Sequence, residues 1–310
     1  MSITIFSQGR NTSRWESALK ERRPGLEVYV YPNTAPPADQ VEFALAWNHP
    51  PGVFTSFPNL KCIASTGAGV DHILRDPELP EGIQITRIVD EDLTQDMATF
   101  VTAQVLNHVR GLHRYKEAQR SHTWKQHSYK RTAEVVIGVM GMGVLGAHTA
   151  QQLSKLGFKV NGWSRSPKLI EGIGAYAGTE ELTAFLEKAN ILICLLPLTK
   201  DTANILNKDT FSKLPKGAYI INVARGEHVV DEDLIDMLDN GHLSGASLDV
   251  FREEPLPEEH PFWEHPLIHV TPHIASITNP ASAVSQILEN YDRMRHGESL
   301  INVVSKTKGY

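Results

Sequence analysis

Three glycines, Gly141, Gly143 and Gly146, lead from an apolar run, Val135 to Met140, into the first turn of a helical stretch, Leu145 to Leu156. A strand passes into a helix over so few residues only where the backbone turns sharply and packs without a side chain in the way. The pattern predicts a βα unit. The N–H groups that open its helix would face a pyrophosphate brought against Gly141-Met142-Gly143-Val144-Leu145-Gly146. On its own this spacing is a weak signal, because the same glycines suit a turn that only packs helix on sheet. Five more apolar runs follow: Phe158 to Trp163, Ile191 to Leu196, Ala218 to Val223, Gly245 to Val250 and Leu267 to Thr271. Six parallel strands alternating with helices predict a Rossmann-type dinucleotide-binding domain. Its first helix places Leu145, Thr149, Leu153 and Leu156 on one stripe and stops at Gly157, and another runs from Asp231 to Gly241.

The second strand of such a sheet usually ends on a carboxylate that accepts hydrogen bonds from the adenine ribose hydroxyls. Here the positions hold Ser164, Arg165, Ser166 and, slightly later, Lys168. A carboxylate would repel a ribose 2′-phosphate, whereas a hydroxyl beside a guanidinium can hydrogen-bond and pair with it. The segment predicts NADPH in preference to NADH, the plain alternative being a solvated arginine in a loop.

A chain of 310 residues suffices for about two domains. Residues 1–96 also alternate strand and helix, in shorter units with Pro-rich punctuation, and predict a smaller α/β domain. Met97 to Arg120 reads as one long helix. A last amphipathic segment spans Ala281 to Arg295, and the tail Ser299 to Tyr310 is expected to return to the first domain. The expected division is 1–96 completed by 278–310, with 97–277 between. A content of 41% hydrophobic and 21% charged residues excludes disorder and coiled coils. The net charge of -6, without a long basic run, argues against a nucleic-acid partner. Cys62 and Cys194 lie in apolar runs and read as buried, reduced thiols. The first six residues alternate like a strand rather than a secretory leader, and the longest apolar run, Ile191 to Leu198, is too short to span a bilayer. A cytoplasmic protein without a membrane partner is expected.

Polar residues gather where the predicted strands end: Arg225 in Asn222-Val223-Ala224-Arg225-Gly226, Asp249 and Glu254 in Leu248 to Pro255, and His273 in Thr271-Pro272-His273-Ile274-Ala275. Ligands of doubly wound sheets bind at these carboxyl ends. Taken singly, each residue has a bland explanation: a surface ion pair, a rim charge, one of fourteen histidines. His269 and His273 are four apart, like zinc ligands on a helix. Val270, Thr271 and Pro272 between them favour a strand and turn instead, so no metal is expected. Together with Gly67-Ala68-Gly69-Val70-Asp71 and Leu195 to Thr202, the ordered set resembles the D-isomer-specific 2-hydroxyacid dehydrogenases along essentially the whole chain. Within that family it is most similar to the glyoxylate/hydroxypyruvate reductase A group.

The resemblance implies a Rossmann-type domain beside a flavodoxin-like substrate domain, and NADPH-dependent reduction of small 2-keto acids, glyoxylate or hydroxypyruvate. Such chemistry needs a cation for the carboxylate, a proton donor for the carbonyl oxygen and a group that keeps the donor charged. The family's roles map onto Arg225, His273 and Glu254 in that order. Leu196, Pro197, Thr202, Val223, Ala224, Asp249 and Ala275 would line the cofactor, Asp249 orienting the nicotinamide amide or tuning the acid pair. Backbone N–H groups of Ala68 and Gly69 would hold the substrate carboxylate, and Trp47 would wall the pocket. The group more often reads Trp-His-Pro-Pro, so Asn48 looks like an insertion after that tryptophan. Trp124 matches a family position that can reach the partner subunit's site in a homodimer, the alternative being simple packing in the dimer. Two other readings stand: a reductase of bulkier keto acids such as phenylpyruvate, and a dinucleotide-sensing, corepressor-like binding protein.

Overall fold

A computed structural model describes residues 2–309 except Arg10 and Ala35; Met1 and Tyr310, the ends of the sequence reading, lie outside the described residues. The chain divides into two compact units, Met1–Leu93 with Ile277–Tyr310, and Thr94–Ser276.

The first unit holds five parallel strands, β1 (Ser2–Ser7), β2 (Glu27–Tyr31), β3 (Phe43–Trp47), β4 (Cys62–Ser65) and β5 (Gln84–Thr86), in the order β2-β1-β3-β4-β5. This is the flavodoxin-like order, with its switch point between β1 and β3. The C-terminal segment belongs here because its helix Pro280–His296 buries Ala283, Val284, Ile287, Leu288 and Tyr291 in one cluster with Ile3, Ile5, Phe43 and Leu45. That helix is bounded as its sequence dictates. Asn279 accepts from the Ala281 N–H, Pro280 occupies the first turn, and Gly297 closes the helix in the left-handed region.

The second unit carries seven parallel strands, β6 (Val136–Met140), β7 (Lys159–Ser164), β8 (Gly174–Ala177), β9 (Ile191–Cys194), β10 (Ala218–Asn222), β11 (Leu243–Leu248) and β12 (Ile268–Val270). Their order is β12-β11-β10-β9-β6-β7-β8. The central strands β9 and β10 are buried at every residue, as a sheet covered on both faces requires. The count of six strands is corrected to seven. β8 is an edge strand of four residues, Gly-Ala-Tyr-Ala, with no β-branched residue to mark it. The single helix expected over Met97 to Arg120 is two helices, Glu91–Val109 and Leu112–Arg120, parted at Gly111 with φ +60°. Leu156, expected on the buried stripe, is 46% exposed because the helix ends at Lys155. Cys62 and Cys194 are buried, and burial pushes both thiols up to about 12. No helix among the described residues is long and apolar enough to cross a membrane.

Candidate active site

At the end of β6 the chain turns at Gly141, φ +100°, where a Cβ would sit 2.5 Å from the Leu195 carbonyl oxygen. A Cβ on Gly146 would lie 1.8 Å from the Gly141 oxygen, so the helix Val144–Lys155 starts this close to the strand only with glycine there. In front of Gly143 there is open space, and no side chain caps the helix. Open backbone at an uncapped helix start fits a pyrophosphate. Of the other motif residues, Met142 lies buried over Gly162, Leu145 is half-buried and Val144 is exposed.

The neighbouring strand ends supply the rest of this rim. Leu196, Val223, Ala224 and Ala275 are buried, and the Thr202 hydroxyl donates to the Pro197 carbonyl at 2.6 Å. Ser164 ends β7 with its hydroxyl donating to the Ser166 carbonyl at 2.8 Å, while Arg165, Ser166 and Lys168 face solvent.

Arg225, Glu254 and His273 all belong to the second unit and follow β10, β11 and β12. The His273 Nδ1–H donates to Glu254 Oε2 at 2.7 Å, and the Phe251 N–H donates to Glu254 Oε1 at 3.0 Å. Burial pushes the Glu254 carboxyl up. The hydrogen bond and charge of His273, the Phe251 N–H and the charge of Arg225 outweigh it and hold the group below the usual carboxylate range. With Nδ1 committed to Glu254, Nε2 is the nitrogen placed to carry a transferable proton. Half-buried Arg225 donates from one terminal nitrogen to the Ala224 carbonyl at 2.6 Å. Its backbone is pinned from behind by the Asn222 side chain, which donates to the Arg225 carbonyl at 2.8 Å.

His273 adopts φ +54°, a conformation costly for a residue with a Cβ unless its surroundings impose it. Asp249 does so. Its carboxylate is 1% exposed and accepts from the Thr271 hydroxyl at 2.6 Å, the Ile274 N–H at 2.9 Å and the Ala275 N–H at 2.8 Å. Its carbonyl accepts the His273 N–H at 2.9 Å. Asp249 thus holds the turn that carries His273. Sequence reasoning named Thr271 only as part of a motif and missed its hydroxyl as a strut, because nothing in spacing reports which way a hydroxyl points.

The first-unit residues are ordered within their own sheet. The loop after β4 folds around Ser65, whose hydroxyl donates to the Gly69 carbonyl at 2.8 Å and accepts the Gly67 N–H at 3.2 Å. Ala68 and Gly69 follow, half-buried. Trp47 ends β3 and stacks at a tilt on His72, ring centroids 4.5 Å apart. Its ring lies where a Gly67 Cβ would fall, 2.8 Å away, so indole and glycine loop are in contact. Asn48 takes φ +44° and His49 is buried against Asp76, 3.6 Å between Nδ1 and Oδ2.

Comparison with known proteins adds four findings. Residues 102–275 match the family of D-isomer specific 2-hydroxyacid dehydrogenases, NAD binding domain. The chain is 40% identical over its full length, and over all of the relative, to glyoxylate/hydroxypyruvate reductase A of Serratia proteamaculans. Among solved structures, a D-isomer specific 2-hydroxyacid dehydrogenase from Xanthobacter autotrophicus Py2 in complex with NADPH and MES superposes with a TM-score of 0.95 at 40% identity, covering 100% of this chain and 99% of that one. An NADPH-dependent glyoxylate/hydroxypyruvate reductase from Sinorhizobium meliloti in complex with NADP and sulfate gives 0.92 at 38% identity, covering 100% and 99%.

Proposed function

The chain belongs to the D-isomer-specific 2-hydroxyacid dehydrogenases, and from that premise we propose that it reduces small 2-keto acids, glyoxylate and hydroxypyruvate, to 2-hydroxy acids with NADPH. The observation that carries the reading is the His273–Glu254 pair at 2.7 Å, on the same strand-end rim as Arg225. When bound, NADPH supplies the hydride that the keto carbon accepts. Arg225 binds the substrate carboxylate and stabilises the negative charge that builds on the carbonyl oxygen. His273 delivers its Nε2 proton to that oxygen, and Glu254 keeps the imidazole charged until it does. Trp47, Ala68 and Gly69 are the proposed first-unit contacts, the two N–H groups for the carboxylate and the indole as a wall. Ser164, Arg165, Ser166 and Lys168 take the 2′-phosphate, since none of them repels it. Relatives solved with NADPH or NADP support that choice.

The test is a keto-acid panel assayed with both nicotinamides. Glyoxylate and hydroxypyruvate are expected to exceed phenylpyruvate in kcat/KM, and tight NADPH binding without turnover on any keto acid would replace the enzyme by a binding protein. In the same assay, Arg165→Ala is expected to lower the NADPH-over-NADH preference by about 10-fold, one charge-assisted contact being worth about 1.5–3 kcal/mol in full and less in this exposed loop. An unchanged ratio would remove the phosphate assignment.

Glu254 also sets the pH behaviour. Its depressed carboxyl stays ionised through neutrality, so the stabilising pair is present above the ordinary carboxylate range and is lost as pH falls through the lowered value. Glu254→Gln has no carboxylate to protonate, so the acid-side fall of kcat/KM that accompanies loss of the pair is expected to flatten. Rate profiles of the two proteins that superpose would contradict the pairing.

The chain is further assigned to a homodimer formed through the second unit. The segment after Val109 supports this: Trp124 is 99% exposed, and Leu112 and Tyr129 of the same segment are more than half exposed.

A further inference from the structure

Arg225 is followed by one short turn, Gly226–His228, and the histidine that closes it has no exposed surface. Its Nδ1 lies 3.2 Å from the Arg225 backbone nitrogen and 3.1 Å from the Arg225 carbonyl oxygen, and its Nε2 lies 3.4 Å from the Pro197 carbonyl oxygen. These contacts select one tautomer. If Nδ1 accepts the Arg225 N–H, the imidazole proton sits on Nε2 and is donated to Pro197, so both ring nitrogens are satisfied. The other tautomer would set a lone pair on Nε2 against a carbonyl. It would also add a third donor to the Arg225 oxygen, which already accepts from the Asn222 side chain and from the His228 N–H. Burial, the largest influence on this imidazole, favours the neutral ring that the arrangement needs.

The two partners belong to different halves of the chemistry. Pro197 stands in the loop after β9, where its carbonyl also accepts the Thr202 hydroxyl, in the stretch assigned to the cofactor. Arg225 is assigned to the keto acid. We propose that His228 is a positioning residue that couples the cofactor loop to the substrate arginine, one hydrogen bond to each. The inference rests on the reading of Arg225 as the keto-acid ligand. The surrounding backbone is held independently, Leu206 N–H donating to the His228 carbonyl at 2.9 Å and Asn204 N–H to the Glu227 carbonyl at 2.8 Å. Changing the side chain therefore leaves the turn's frame in place.

Two near-isosteric substitutions separate the bonds. Asparagine keeps an acceptor where Nδ1 stands and loses the donor to Pro197; glutamine keeps a donor where Nε2 stands and loses the acceptor for Arg225. His228→Asn is expected to raise the NADPH dissociation constant by about 10-fold, with the glyoxylate KM at saturating NADPH within about twofold of wild type. His228→Gln is expected to do the reverse. Both constants rising in parallel, together with a lowered melting temperature, would reduce His228 to a structural filler and overturn the proposal, as would no change in either. If Arg225→Gln leaves the glyoxylate KM untouched, it is the assignment of Arg225 that fails, whatever His228 does.

Discussion

Replacing His273 by asparagine is expected to slow the reduction of glyoxylate by about 10²–10⁴-fold at neutral pH, the range a positioned general acid contributes. Asparagine is chosen because it tolerates the left-handed conformation of His273, φ +54°, better than alanine does, so the Asp249-built turn survives while the acid is removed. The contact described for the His273 side chain is the one to Glu254, and its backbone N–H bond to Asp249 is kept. NADPH affinity is therefore expected to stay within about twofold, because the lost group acts on the substrate oxygen and not on the cofactor. Stopped-flow loss of NADPH fluorescence under single-turnover conditions measures the chemical step directly, and a titration of the same signal gives the dissociation constant. A loss of less than 10-fold in the chemical step would mean that another group delivers the proton.

Arg225→Gln carries the second large effect. The guanidinium meets a carboxylate with two parallel N–H donors and carries a full charge, which a neutral amide replaces in neither respect. Its loss is expected to lower kcat/KM for keto acids by about 10²–10³-fold, the measured cost of removing one donor from a developing oxyanion. Both parameters should move, KM because the ground-state carboxylate is bound less well and kcat because charge on the carbonyl oxygen is stabilised less. Arg225→Lys keeps the charge without the fork and should recover only part of the loss. A variant with glutamine that turns over glyoxylate as wild type does would end the assignment, and NADPH binding in parallel shows whether the fold is intact.

The parts legible in the sequence are those that local chain geometry enforces. Gly141 and Gly146 are demanded by a turn and a close approach that no side chain permits, so the βα unit announces itself in five residues of spacing. Arg225 and His273 are legible for a related reason, since each follows an apolar run and strands of parallel sheets deliver their ends to one edge. β8 was missed because a four-residue edge strand of small residues pairs on one side only and shows no hydrophobic period. The break at Gly111 was missed because a helical pattern continues across it on both sides.

By itself, then, the sequence determined the cofactor turn, the parallel architecture and which polar residues end the strands, since backbone sterics and periodicity act between near neighbours. Only the tertiary structure decided what those residues do to one another. That the Asp249 carboxylate is spent on the His273 turn, that Glu254 reaches the ring nitrogen, and that His228 reaches the Pro197 carbonyl depend on segments that follow separate strands converging in space. Hydrogen bonds of 2.7 to 3.4 Å between residues 19 to 31 positions apart are set by how the strands stack, and no local pattern records that distance.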